Sequence, residues 1–190
     1  LTVLAVLLTG GPALWRLDQV IYDAQLRLWS RPAPDDIVII GIDEVSLQEL
    51  GRWPWSRRIH TRLLTKLTKE SPRAILFDVL FAEKEPADKA ADDEFVKAVA
   101  ENGRVLLPVV VETTHLGGQL IETLPFPELS EVAASLGHVQ FDLDQDGMAR
   151  QTYLFQGLGN PFWPSLAAET LRLANPQAWE KLPKKTEPRP

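Results

Sequence analysis

The chain has 190 residues, is 45% hydrophobic, carries a formal net charge of −6 and contains no cysteine. This length and apolar content suit one domain with a proper core and short appended segments. The acidic balance argues against a general nucleic-acid binder, and the lack of cysteine excludes disulfides, thiolate metal sites and thiol nucleophiles.

Residues 1–14 carry no charge, and 1–8 are almost all aliphatic. A full membrane span needs about 20 apolar residues, so the stretch is too short to cross by itself. It reads as the outer end of a membrane helix, or else as a signal-peptide remnant or a buried helix. Over 15–29, Leu17, Ile21, Tyr22 and Leu28 form a loose helical stripe, with Asp18, Asp23 and Arg27 elsewhere. The expectation is a helix leaving the membrane and lying on a sheet, with Trp29 as a core anchor. Pro32 and Pro34 end it.

Residues 37–42 are β-branched apart from Gly41 and end at Asp43-Glu44. Residues 74–77 form a second apolar run, ending at Asp78. Between them Ile59, Leu63, Leu64 and Leu67 recur at helical spacing, with His60, Arg62, Lys66 and Lys69 at the other positions. Strand, amphipathic helix, strand predicts a βαβ unit with a buried parallel pair and a right-handed crossover. Asp43 and Asp78 would then sit at the carboxyl ends of neighbouring strands, where open α/β sheets hold ligands. A short helix over 46–50 should stop at Gly51.

Farther on, residues 83–101 hold seven acids and three lysines. Asp92 and Asp93 fall near the start of a helix running to Ala100, where acids suit the helix dipole. They read as a solvated helix start or as a lid over the strand edge. A third strand is expected over 104–111, with Pro108 implying a bulge or an edge position. Gly117-Gly118 predicts a hairpin with an antiparallel return over 120–124. A short helix over 128–134, a strand opening at 136–139, a hairpin about Asp146-Gly147 and a helix over 165–173 follow. Residues 175–190, rich in Pro and Lys, read as a tail. The predicted fold class is α/β: a mixed, mainly parallel central sheet with packed helices and antiparallel strands in the C-terminal half.

Two places suggest chemistry. The first joins the acids Asp43, Glu44 and Asp78 and the hydroxyl of Ser46 with Arg52, Trp53, Trp55 and Arg57 of the RWPWSRR stretch. The guanidinium groups there would clamp a carboxylate or phosphate bidentately. Alternatively, Trp53 and Trp55 plug the sheet end while an arginine pairs internally with Asp43 or Asp78. The second is Asp142, Asp144 and Asp146 before Gly147, which matches the opening of an EF-hand calcium loop. The twelfth position, where an EF-hand needs Glu, is Tyr153, so an Asp-Gly hairpin is the simpler reading and a calcium loop completed from elsewhere the sharper one. His138 has no second His or Cys near it in sequence to make a metal site.

The IDEVSLQELGRWPWSRRIHTRLL stretch followed by AILFDVLFAE resembles the CHASE2 domain, the extracytoplasmic sensor module of bacterial receptors. ADDEFVKAVAENGRVLLP, LGHVQFDLDQDGMARQTYLF and PSLAAETLRL extend the resemblance over about residues 17–173. It implies a domain placed just after a membrane helix, on the periplasmic side of the cell membrane. It also implies that the domain feeds a cytoplasmic output domain in the same polypeptide, such as an adenylate or diguanylate cyclase or a kinase.

The resulting layout is 1–30, the end of a transmembrane segment and connecting helix; 31–174, the sensor; and 175–190, a linker towards the membrane. No G-x-S-x-G, P-loop, H-E-x-x-H or dinucleotide-binding glycine pattern is present. The domain is therefore expected not to be an enzyme and to need no cofactor, calcium at the Asp142–Asp146 segment aside. Its expected partners are an unknown small-molecule or ionic stimulus, the membrane and a second copy of itself. The alternatives are a metal-dependent α/β hydrolytic enzyme and a structural dimerisation module without ligand.

Overall fold

The computed structural model describes residues 12–30, 32, 34–113, 120–158 and 162–181, and the chain falls into two compact units, Leu1–Ser46 and Leu47–Pro190. The first unit holds helix α1 (Pro12–Leu28), which covers the predicted helix. Most of the uncharged stretch over 1–14 lies outside the described residues. Among those described, no helix is long and apolar enough to cross a membrane.

The apolar residues of this unit are exposed. Leu28 and Trp29 are 83% and 75% exposed, so Trp29 is not a core anchor. The β-branched run over 37–42 forms no strand, and Val38 and Ile39 are 82% and 89% exposed. Strand propensity is mostly packing against a neighbour, and this run has no ladder partner among the described pairings. The βαβ unit predicted from it is therefore not the one the fold uses. Helix α2 (Glu44–Leu50) follows and stops at Gly51, whose φ of 91° is the left-handed cap geometry that glycine adopts freely.

The second unit is built on α3 (Arg57–Lys69), β1 (Ile75–Leu76), α4 (Lys89–Asn102) and β2 (Val105–Thr113). β1 and β2 are parallel, so the βαβ unit runs β1–α4–β2. Strand β3 (Leu120–Thr123) returns antiparallel along the end of β2, as the hairpin reading required; the turn itself lies outside the described residues. After α5 (Pro127–Val132), strand β4 (Ser135–His138) pairs with β2 in parallel. Strand β2 is thus central, and Val105, Leu106, Leu107 and Val109 are completely buried, as a strand covered on both faces requires.

Pro108 is equally buried and stands mid-strand opposite Gly137, not at an edge or a bulge. The ladder explains this. Ile75 and Phe77 donate to the carbonyls of Arg104 and Leu106, so the even-numbered residues of β2 present their backbone groups to β1. Pro108 comes next on that side, two residues beyond the last β1 partner and two before the first β3 partner. Its missing N–H falls where β2 changes neighbours, and no ladder bond is lost.

Beyond the sheet lie the Asp-Gly hairpin of β5 (Phe141–Leu143) and β6 (Ala149–Thr152) and a pair of short antiparallel strands, β7 (Phe155–Gln156) and β8 (Trp163–Pro164). Helix α6 (Leu166–Ala174) packs on β2 and β4, capped by the Ser165 hydroxyl, which accepts from the Ala168 amide at 3.1 Å. The expected tail begins instead with one more short helix, α7 (Pro176–Trp179), and the rest of it lies outside the described residues. The architecture is the mixed α/β arrangement predicted. The main core, between α3, α4 and the sheet, joins Leu64, Phe77, Phe81, Phe95, Val99, Val105, Leu107, Phe126 and Leu129.

Close approach of α6 to β4 depends on Gly137. A Cβ there would lie 2.7 Å from the Leu166 Cα and 2.8 Å from its nitrogen, both backbone atoms that cannot swing aside. Gly137→Ala should therefore cost about 1–3 kcal/mol as an overpacked site. Urea unfolding would read this as a lowered midpoint at unchanged slope.

Candidate functional site

The second unit holds a buried polar cluster walled by aromatic rings, where the start of α3 meets α4 and the chain following β1. Ser56 caps α3, its hydroxyl accepting from the Arg58 amide at 3.3 Å. That hydroxyl also donates to Glu85 at 3.1 Å, and the Arg57 amide donates to the same carboxylate oxygen at 2.9 Å. Glu85 thus places a negative charge on the helix N-terminus, the end that favours one. The Arg57 guanidinium donates to the Glu83 carbonyl at 2.8 Å, lies 3.4 Å from the Asp92 carboxylate and stacks 4.6 Å above the Phe81 ring. The other Asp92 oxygen accepts from the Glu85 amide at 2.8 Å.

His60 lies one turn after Arg57 and is 4% exposed. Its ring is surrounded by those of Trp53, Trp55, Phe77, Phe81 and Phe95, at centroid distances of 5.8, 6.5, 6.1, 5.1 and 6.1 Å. Its Nε2 is buried without a hydrogen-bond partner. Burial, followed by the nearby Arg57 charge, pushes the imidazole down to about 4. It is therefore neutral at pH 7. Trp53 and Trp55 stand edge to face at 5.5 Å, and the Trp55 indole N–H donates to the Gly51 carbonyl at 2.8 Å. Trp53 is 42% exposed, so this cap forms the outer wall of the cluster.

The expected site residues divide between the units. Asp43, Glu44 and Ser46 belong to the first. There Asp43 accepts from the Ser46 hydroxyl at 2.6 Å and its amide at 2.8 Å, which caps α2 and holds the Asp43 carboxyl below its usual range. Arg52, Trp53, Trp55, Arg57 and Asp78 belong to the second. Of these, Trp53, Trp55 and Arg57 build the buried cluster, while Arg52 is exposed and Asp78 is exposed just after β1. Internal pairing of an arginine is realised with different acids. Arg57 takes Asp92, and Arg58 takes Asp88 and Glu94 at 2.8 and 2.6 Å.

His60, Glu85 and Asp92 were not among the sequence candidates. The available signal was the spacing of Arg57, His60, Leu64 and Leu67, a helical stripe whose members include the buried His60 and Leu64. Reading the aliphatics alone put the stripe one position away and left His60 outside it. For Asp92, a position near a helix start suggested solvent, but α4 packs that face on α3 and leaves it 2% exposed.

At the Asp-Gly hairpin, Arg150 bonds Asp144 at 2.8 Å and Asp146 at 2.8 Å, and its side chain is only 7% exposed. Tyr153 donates to Asp142. Gly147 takes the left-handed conformation at the turn, with φ 78°. Among the described residues, no three His, Cys, Asp or Glu side chains are grouped to hold a metal ion.

The family model of the CHASE2 domain matches residues 1–188. The chain belongs to the CHASE2 family, a family of extracytoplasmic sensory domains rather than catalytic ones. No curated protein and no solved structure matches it.

Arg57 and Arg58 should behave very differently when truncated. Arg57→Ala leaves Asp92 buried without its cation and is expected to cost about 3–5 kcal/mol. Arg58→Ala removes a solvent-exposed pair and should cost less than about 1 kcal/mol. Denaturant unfolding of the two variants checks the contrast.

Proposed function

We propose that this chain is the stimulus-sensing part of a bacterial transmembrane signalling receptor. It lies on the periplasmic side and passes its signal to a cytoplasmic output domain of the same polypeptide, such as an adenylate or diguanylate cyclase or a kinase. The observation that carries this reading is the CHASE2 match over residues 1–188. The buried cluster supports a sensing role within it. A neutral imidazole, a paired arginine and two carboxylates lie behind a Trp-Pro-Trp cap that faces solvent. A stimulus that favours one cap arrangement over another would shift their populations, which is all that signalling requires. The ends of the chain, over 1–30 and 175–190, are in this reading the connections towards the membrane.

A second reading, in which the chain serves mainly to pair two receptors, is favoured by α1. Leu17, Ile21, Ala24 and Leu28 recur at alternating spacings of four and three on this helix, and Leu17, Ile21 and Leu28 are 54%, 48% and 83% exposed. That is the spacing of a helix-pairing seam.

We also infer that Asp142, Asp144 and Asp146 fold the hairpin and hold no calcium. Arg150 and Tyr153 engage their carboxylates, and a cation would have to displace both.

Three measurements follow. In a thermal-shift screen with small carboxylates, phosphates, nucleotides and magnesium, a ligand at a hundred times its Kd should stabilise by about 2.7 kcal/mol. That shift should be lost in Trp53→Ala, and a screen with no shift counts against a small-molecule stimulus. Millimolar calcium should leave the midpoint unchanged; a calcium shift lost in Asp144→Ala would put a cation in the hairpin. The pairing reading expects Ile21→Asp to convert a dimer to a monomer in light scattering, and a wild-type monomer would sink it.

A further inference from the structure

Among the buried ionisable groups, His60 lacks a structural explanation of the ordinary kind. A histidine in a core normally spends both ring nitrogens on hydrogen bonds. His60 leaves Nε2 without a partner, although it is 4% exposed and ringed by five aromatic side chains. Phenylalanine would fill such a cage without stranding a polar atom. What phenylalanine cannot do is take up a proton.

We propose that the proton is itself a stimulus for this domain, taken up by His60 and read out as release of the Trp53-Pro54-Trp55 cap. The proposal rests on the sensory reading above and names the ligand of that same site.

Charged groups face the imidazole from each element around it. Arg57 lies on α3, Glu85 on the chain after β1 and Asp92 on α4. Arg57 opposes a second positive charge, and Glu85 favours one. Asp92 is already engaged by Arg57 and the Glu85 amide. The remaining neighbours are rings. Burial therefore dominates, and the closed arrangement keeps its imidazole neutral well below the ordinary 6.5.

The sign follows from linkage. A group whose closed-state pKa is depressed contributes its full stabilisation above 6.5, and this is lost as the pH falls from 6.5 towards about 4. Over that window the balance between open and closed shifts by up to two to three orders of magnitude, at tenfold per pH unit.

The cap is the wall most easily released. Its indole hydrogen bond is local, to Gly51, and Trp53 is already 42% exposed. The opposite wall is the main core, in which Phe77, Phe81 and Phe95 pack with Leu64 and Val99. Once the cap lifts, the imidazolium reaches water while α3, α4 and the sheet keep their packing.

The test is a proton NMR titration of this chain from pH 7.5 to 4, which has three histidines to resolve. Variants His60→Phe and His60→Gln assign the His60 ring signal, and the second serves if the first fails to fold. The expected result is a shift of the Trp53 and Trp55 indole N–H signals that tracks His60 protonation. The amides of Val105, Leu107 and Val109 should stay protected, and both variants should lose the indole shift. Indole shifts that persist in the variants, no indole shift in the wild type, or simultaneous loss of the strand amides would each overturn it. Because the readout needs no output domain, failure here is separable from failure of the sensory reading. Conversely, an intact cap transition in a receptor whose output ignores pH would overturn the proton as stimulus.

Discussion

The second unit depends on one buried ion pair. Arg57, at the first position of α3, reaches the Asp92 carboxylate near the start of α4, and their side chains are only 14% and 3% exposed. Two charges out of water repay their desolvation only when further hydrogen bonds complete them. Here the Glu83 carbonyl, the Glu85 amide and the face of Phe81 do so. The pair therefore pins the chain between β1 and α4 onto both helices. It explains why an acidic stretch with much of the chain's negative charge folds down as part of the structure. Arg58 adds an outer layer of the same kind with Asp88 and Glu94.

That anchoring places the aromatic cage. With the 83–92 stretch held against α3, Phe81 and Phe95 close on His60 from one side and the Trp-Pro-Trp turn from the other. Rings in edge-to-face contact fill space without supplying hydrogen-bond partners to a buried nitrogen. The same packing that stabilises the unit thus leaves His60 neutral and its cap as the thinnest wall. For a family whose members sense conditions outside the cytoplasm, a stable core with one lightly held wall is a workable division. Rigidity lies in the sheet and α4, and the part free to respond lies at the start of α3.

Much of this was legible in the chain. The helical stripe of α3, the glycine caps at Gly51 and Gly103, the β2–β3 hairpin, the Asp-Gly turn and the Ser165-capped helix all rest on local patterns, and local patterns survive folding. Trp53, Trp55 and Arg57 were legible as a special cluster because so many large and charged side chains stand together there. The strand over 37–42 was misread because β-branched sequence supplies propensity and cannot supply a partner. Pro108 was misread because a missing N–H is harmless wherever the ladder happens to need none.

The sequence alone determined the α/β class, the family and the neighbourhood of the site, since these follow from composition, periodicity and one dense motif. Only the tertiary structure decided which acid neutralises Arg57, because Asp43, Asp78 and Asp92 are equivalent as letters and differ only in where packing puts them. It likewise turned His60 from a polar position on a helix into a buried, partnerless base. Burial and pairing belong to contacts between residues tens of positions apart, and no local pattern encodes them.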